Sequence, residues 1–260
     1  MAQHPSHREP RLKKTKAGKE RLDVLLVERG FAPSRQRAQA MLLAGQIRVD
    51  GARLDKPGTQ VTTEARIEVT GETLRYASRA GLKLEGALED FELSVRDCIC
   101  LDAGSSTGGF TDCLLQRGAR KVFAVDVTID QLDWKLRNDA RVATVEKNAR
   151  YLKPEDIPEP AEFVTVDLSF ISVGKVLGAI VPLSAPQARF LILIKPQFEL
   201  EKREVGKGGI VRNTALHQKA IDQVTQAAID AGLEIRGVRP SRVAGAEGNQ
   251  EFFLHARRHE

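Results

Sequence analysis

Leu101-Asp102-Ala103-Gly104-Ser105-Ser106-Thr107-Gly108-Gly109-Phe110 is the stretch on which the fold of this chain turns. Before it, Cys98-Ile99-Cys100-Leu101 reads as a short apolar strand; after it, Thr111 to Arg117 reads as the first turns of a helix. Strand, glycine-rich turn and helix N-terminus make a backbone cradle, because glycine lets a ligand approach the main chain closely. The glycines at 104, 108 and 109 do not follow G-x-G-x-x-G, and no Gly-Lys-Ser/Thr follows them. A dinucleotide fingerprint and a P-loop are therefore both excluded. A plain turn in some other α/β protein fits the loop taken alone. The next strand narrows the choice. Lys121-Val122-Phe123-Ala124-Val125-Asp126 is an apolar run ending in an acid, about 20 residues past the loop, where ribose-binding carboxylates stand in nucleotide folds.

The chain has 260 residues, enough for one large and one small domain. Its longest apolar run, Phe190 to Ile194, is far too short to cross a bilayer. The first 20 residues are polar and basic, unlike a secretory signal. Cys98, Cys100 and Cys113 form no zinc pattern and are odd in number, so no metal and no disulfide framework is expected. These features together point to a cytoplasmic protein. Charge is uneven: residues 1–83 hold 17 Lys+Arg against 9 Asp+Glu, whereas residues 84–260 hold 23 against 26. A basic front end on a near-neutral remainder suggests contact with a polyanion.

Residues 1–20 read as a disordered basic tail. A compact unit is expected over 21–70. In it Ser34 caps a helix through Ala44, with Ala38, Met41 and Leu42 facing inward and Gly45 ending it. Gln46 to Val49 and Arg66 to Val69 are strands, and Asp50-Gly51 is a hairpin turn. A linker at 71–77 leads to a large domain at 78–260. There, strands at Phe163–Asp167 and Arg189–Lys195 alternate with helices at Ser172–Leu183 and Asn213–Ala231. Strands at Leu233–Val243 and Gln250–Arg257 follow. Apolar strands alternating with helices imply a parallel sheet covered on both faces.

Four residues fall where active sites of such sheets lie: Lys83 before the first strand, Asp167 and Lys195 at strand ends, and Glu251 at the start of the last strand. The loop Val205 to Ile210 either closes over a substrate phosphate or simply connects two elements; both readings stay open.

The acid-x-Gly opening of the loop is similar to the S-adenosylmethionine loop of class I (Rossmann-like) methyltransferases. Residues 21–70 resemble the small α+β RNA-binding domain named after ribosomal small-subunit protein four. The matching text is Arg21 to Leu26, Ser34 to Ala38, Gly45 to Gly51 and Lys56-Pro57-Gly58. The implied RNA contacts are Arg21, Arg35, Arg37 and Lys56. Ser78 to Leu84, Val166 to Phe170, Ile194 to Glu199 and Asn249 to Phe253 resemble FtsJ-type ribose 2′-O-methyltransferases. Together with the front end, residues 21–258 resemble the TlyA family, often labelled hemolysin A.

That resemblance implies methylation of cytidine ribose in ribosomal RNA with S-adenosylmethionine as cofactor. It implies ribosomal RNA or ribosomal subunits as partners, with no membrane and no obligate protein partner. Lys83, Asp167, Lys195 and Glu251 become a catalytic tetrad. Asp102, Gly104, Ser105, Ser106, Gly108, Gly109, Phe110, Asp126 and Asn148 become the cofactor site, Asn148 standing where many relatives carry an acid. Other chemistries lack their residues. Amino-methyltransferases carry Asn/Asp-Pro-Pro-aromatic where this chain has Asp167-Leu168-Ser169-Phe170, and no cysteine is placed to attack a cytosine ring. Two further functions compete: a non-catalytic RNA-binding assembly factor, and the membrane lysis that the hemolysin label suggests. Lysis has little physical basis without an apolar span.

Overall fold

The computed structural model describes residues 18–32, 34–43, 45–70, 75–245 and 248–259, without the side chains of Gln36, Arg37 and Ala40. The chain divides into two compact units that meet between Thr73 and Leu74. Most of the expected tail and residues 71–74 of the expected linker lie outside the described residues.

The first unit contains β1 (Lys19–Arg21), α1 (Leu22–Glu28), α2 (Arg35–Leu43), β2 (Ile47–Val49), β3 (Ala52–Arg53), β4 (Gln60–Thr62) and β5 (Ile67–Val69). Leu22, Leu25 and Leu26 on α1 meet Ala38, Met41 and Leu42 on α2 over Ile47 and Val49, all buried. The spacing of three and four residues puts each set on one helical stripe. Asp50 and Gly51 both have positive φ, 51° and 82°, the twist a two-residue hairpin needs between β2 and β3. Folded structure starts earlier than expected: Lys19 and Glu20 belong to β1, paired with Thr62 and Val61. Composition marked them as tail because a strand's partner is not visible locally. The expected helix end at Ala44 lies outside the described residues.

The second unit opens with α3 (Ala80–Asp90), β6 (Ile99–Ala103), α4 (Gly109–Gln116), β7 (Lys121–Asp126), α5 (Trp134–Arg137) and β8 (Val142–Glu146). It continues with β9 (Ala161–Val166), α6 (Gly174–Ile180), β10 (Ser184–Ile194), α7 (Pro196–Glu199), α8 (Thr214–Asp230), β11 (Leu233–Pro240) and β12 (Phe252–Arg258). One seven-stranded sheet runs β11-β12-β10-β9-β6-β7-β8. Strands β6 to β10 are mutually parallel, whereas β12 is antiparallel to both neighbours. Side chains alternate between two cores: Leu101, Val164 and Ile192 face the α6 and α8 side, while Cys100, Phe163 and Leu191 face α3 and α4. From β6 the chain proceeds to β7 on one side, and β9 lies on the other. That reversal opens a crevice beyond the carboxyl ends of β6 and β9.

Candidate active site

The loop after β6 is shaped by what lies beneath it. Gly104 has φ 93°, and a Cβ there would stand 2.1 Å from the main-chain oxygen of Asp167. Only glycine lets the loops after β6 and β9 lie this close. Gly104 and Ser105 N–H groups both donate to Val125 O, and Ser106 N–H donates to Asp126 Oδ2 at 2.9 Å. The loop is thereby tied to the end of β7. The Ser105 hydroxyl is buried with no hydrogen-bond partner among the described residues.

Asp102 lies deeper than its place in the loop motif suggests. It is fully buried, with Thr111 Oγ1 donating to Oδ2 at 2.6 Å and Thr165 Oγ1 to Oδ1 at 2.8 Å. Burial pushes its carboxyl up to about 6, against the pull of those two hydroxyls. Asp102 therefore joins β6, α4 and β9 and is not among the residues that line the cleft or the recess of this site. Gly108 is also packed from within. Its φ of 94° starts α4, and a Cβ there would stand 2.2 Å from Leu136 Cδ1; it lets α5 pack and does not line the cleft. Gly109 faces Ser78, whose Oγ would be 2.3 Å from an added Cβ. Phe110 is nearly buried and stacks on Phe253 at 6.1 Å.

A cleft of about 830 Å³ opens above the loop, lined by Gly104, Ser106, Asp126, Asn148, Asp167 and Phe170 among others. Its size suits a nucleoside derivative. Asp126 and Asn148 stand at the carboxyl ends of neighbouring strands, β7 and β8. Asn148 Oδ1 accepts the Arg150 N–H at 3.0 Å, which fixes the side chain at the start of a 3-10 turn. A smaller recess of about 130 Å³ shares Gly104, Ser106, Asp167 and Ser169 with the cleft and adds Ser78, Ser105, Gly109, Phe110 and Lys195.

The tetrad forms two ion pairs. Lys195 Nζ lies 2.5 Å from Asp167 Oδ1 and donates to Ser169 Oγ at 3.1 Å. Lys83 Nζ lies 2.6 Å from Glu251 Oε2, with Glu251 only 2% exposed. Sheet register links the pairs: Ile194 faces Phe252 across β10 and β12, so Lys195 and Glu251 follow at the same edge. Asp167 and Lys195 line the recess, while Lys83 and Glu251 form a pair below the surface. Phe170, on which the sequence carries no functional signal of its own, has φ 64° and is 92% exposed. Ser78, equally silent in sequence, lines the recess.

Residues 76–258 match the family model for FtsJ-like methyltransferases, and residues 20–67 match the S4 domain. The chain belongs to the FtsJ-like methyltransferase family. It is 45% identical over 243 residues to the 16S/23S rRNA (cytidine-2′-O)-methyltransferase TlyA of Mycobacterium tuberculosis, covering 93% of this chain and 91% of that one. It is 41% identical to Hemolysin A of Brachyspira hyodysenteriae, over 90% of this chain and 98% of that one. A solved structure described as a "putative hemolysin" from Streptococcus thermophilus is 42% identical with a TM-score of 0.72, covering 93% and 89% of the two chains.

In the S4 unit, Arg21 and Arg35 are both bonded to buried Asp23. Lys56 is exposed on the turn before Gly58, and the Arg37 side chain lies outside the described residues. Among the described residues, no group of His, Cys, Asp and Glu could hold a metal ion, and no helix is long and apolar enough to cross a membrane.

Proposed function

We propose that this chain transfers the methyl group of S-adenosylmethionine to the 2′-hydroxyl of a cytidine in ribosomal RNA. The observation that carries the reading is the Lys195–Asp167 pair, 2.5 Å apart, on the wall of a recess that opens into a nucleoside-sized cleft. The FtsJ-like match over residues 76–258 supports the chemistry. The relative called a cytidine-2′-O-methyltransferase supports the nucleotide.

S-adenosylmethionine supplies an electrophilic methyl on a sulfonium. The residues present fit it: Gly104 lines the cleft where the loops after β6 and β9 meet, Asp126 retains lone pairs beyond those used by Ser106 and Thr128, and Asn148 lines the same cleft. Gly104, Ser106, Asp126 and Asn148 would hold the nucleoside end, and Ser105 and Gly109 the recess end.

A ribose hydroxyl is a weak nucleophile, so aligning it is the larger part of the task. Lys195, held by Asp167 and Ser169, presents a cation to the oxygen as it attacks and steadies its developing negative charge. Asp167, beside that ammonium, is the acceptor for the hydroxyl proton. Lys83 on α3 and Glu251 at the start of β12 form the second charged pair and hold that end of the site in place. Residues 21–70 supply RNA affinity and residues 78–260 the chemistry, in the cytoplasm and on ribosomal subunits or their RNA.

The test is methyl transfer from labelled S-adenosylmethionine to ribosomal RNA and to intact subunits, followed by nuclease digestion and mass spectrometry. A 2′-O-methylcytidine product is expected. Binding of RNA with no methyl transfer to either substrate would instead support a non-catalytic assembly factor.

A further inference from the structure

The N-terminal unit buries an acid among arginines. Asp23, in the first turn of α1, has a fully buried side chain. Removing a carboxylate from water is costly unless its lone pairs are filled. Here they are filled largely by cations. Arg21 Nε donates to Oδ1 at 3.0 Å and its Nη2 to Oδ2 at 3.1 Å. Arg35 Nε donates to Oδ2 at 2.8 Å, and Gln39 Nε2 to the same oxygen at 2.9 Å. Arg35 and Gln39, four residues apart on α2, reach the acid from one helix face. The Arg21 bond chiefly holds this carboxyl below its ordinary range, and burial opposes it.

One negative charge thus faces two positive ones. The arginine side chains are 41% and 54% exposed, anchored at their inner edge and open to solvent at the outer. Among the described residues, Arg35 meets this carboxylate through Nε, and no bond from its Nη groups to Asp23 is made. The main chain around Asp23 also ties in the turn that carries Lys56. Asp23 N–H donates to Pro57 O and Leu22 N–H to Thr59 O, and a Cβ on Gly58 would stand 3.6 Å from Arg21 Nη1.

We propose that Asp23 is a positioning residue for RNA: it clamps Arg21 and Arg35 into a fixed fork that, with Lys56, seats an RNA phosphate. This rests on reading the N-terminal unit as RNA-binding. A free arginine loses rotamer freedom when it captures a phosphate. A guanidinium already fixed by folding has less to lose and keeps its planar donors aimed. The clamp also makes a prediction of opposite sign to simple charge. If the arginines acted only as diffuse charge, deleting the negative charge of Asp23 would strengthen RNA binding. The clamp requires that it weaken.

The experiment uses the full chain, with Asp23→Asn and Arg35→Lys variants, titrated with purified ribosomal RNA over a series of salt concentrations. Calorimetric binding of S-adenosylmethionine is measured in parallel. Asp23→Asn is expected to weaken RNA binding about fivefold to tenfold and to lower the salt slope by about 1, the loss of one ordered phosphate contact. Cofactor binding in the other unit should not change. Arg35→Lys keeps the charge at a half-exposed position but lacks the Nε fork, and it should reproduce the loss even where Asp23→Asn disturbs folding. RNA affinity at or above wild type in Asp23→Asn, or an unaffected Arg35→Lys, overturns the clamp. A wild-type chain with no salt-dependent RNA binding overturns the reading of the unit instead.

Discussion

Replacing Lys195 by Ala separates chemistry from folding. The strand that carries it is held by Phe190 to Ile194, all fully buried, and these contacts survive the change. What is lost is the 2.5 Å pair with Asp167 and the 3.1 Å bond to Ser169. Breaking a fully buried pair costs about 3–5 kcal/mol. Asp167 opens on the recess, where water can take the place of the ammonium, so the cost here is about 1–2 kcal/mol. In a unit of this size that lowers Tm by about 3–6 °C. The rate should fall far more. Losing one preorganised group that stabilises transition-state charge costs about a hundredfold to a thousandfold, or roughly 2.7–4 kcal/mol. Cofactor affinity should hold, because Gly104, Asp126 and Asn148 are untouched. The assay is single-turnover methyl transfer to ribosomal RNA at saturating S-adenosylmethionine, with calorimetric cofactor binding and a melting curve on the same preparation. A folded Lys195→Ala protein that methylates within about threefold of wild type would refute the catalytic role and leave Lys195 as a salt-bridge partner only.

Lys83→Met should cost about 3 kcal/mol, because it strands the buried Glu251 carboxylate; the double change Lys83→Met with Glu251→Leu should recover most of the Tm while methyl transfer stays low. Gly104→Ala should weaken cofactor binding about tenfold or more, since its Cβ would stand 2.1 Å from Asp167 O and the strained backbone must shift; unchanged calorimetric affinity would count against the cradle. Asp102 titrates higher in the folded chain, at about 6, than its ordinary 3.8. Protonation therefore favours the native state, and this residue's contribution declines as pH rises from about 4 to 6 and is level above. Asp102→Asn should remove that decline, raising stability at pH 8 relative to wild type more than at pH 4, as read from Tm against pH. Asp23 has the opposite sign: its carboxyl is held low, so the stability it lends is present above pH 3.8 and lost as acid titrates the folded group. Asp23→Asn should blunt acid unfolding of the N-terminal unit, followed by circular dichroism.

The strand–turn–helix at 99–116 and the acid ending β7 were legible because each is a local pattern: a run of apolar residues, a cluster of small ones, and a carboxylate at fixed distance. The same holds for the hairpin at Asp50-Gly51, whose positive φ angles are a property of two adjacent residues. Family resemblance then named Lys83, Asp167, Lys195 and Glu251. Their pairing was not legible. It depends on β12 running antiparallel beside β10, which brings Glu251 to Lys83 across 168 positions of sequence. Asp102 shows the same limit from the other side. Its place in the loop motif suggested a ligand contact, yet only the packed structure reveals Thr111 and Thr165 closing over both oxygens. Asp23 carried no signal of its own: Arg21 is two positions away, but Arg35 and Gln39, 12 and 16 positions away, meet it only through packing. A backbone turn is decided by the residues within it, so sequence is enough. The state of a carboxylate is decided by whatever long-range packing places within hydrogen-bond reach, and only the tertiary structure decides that.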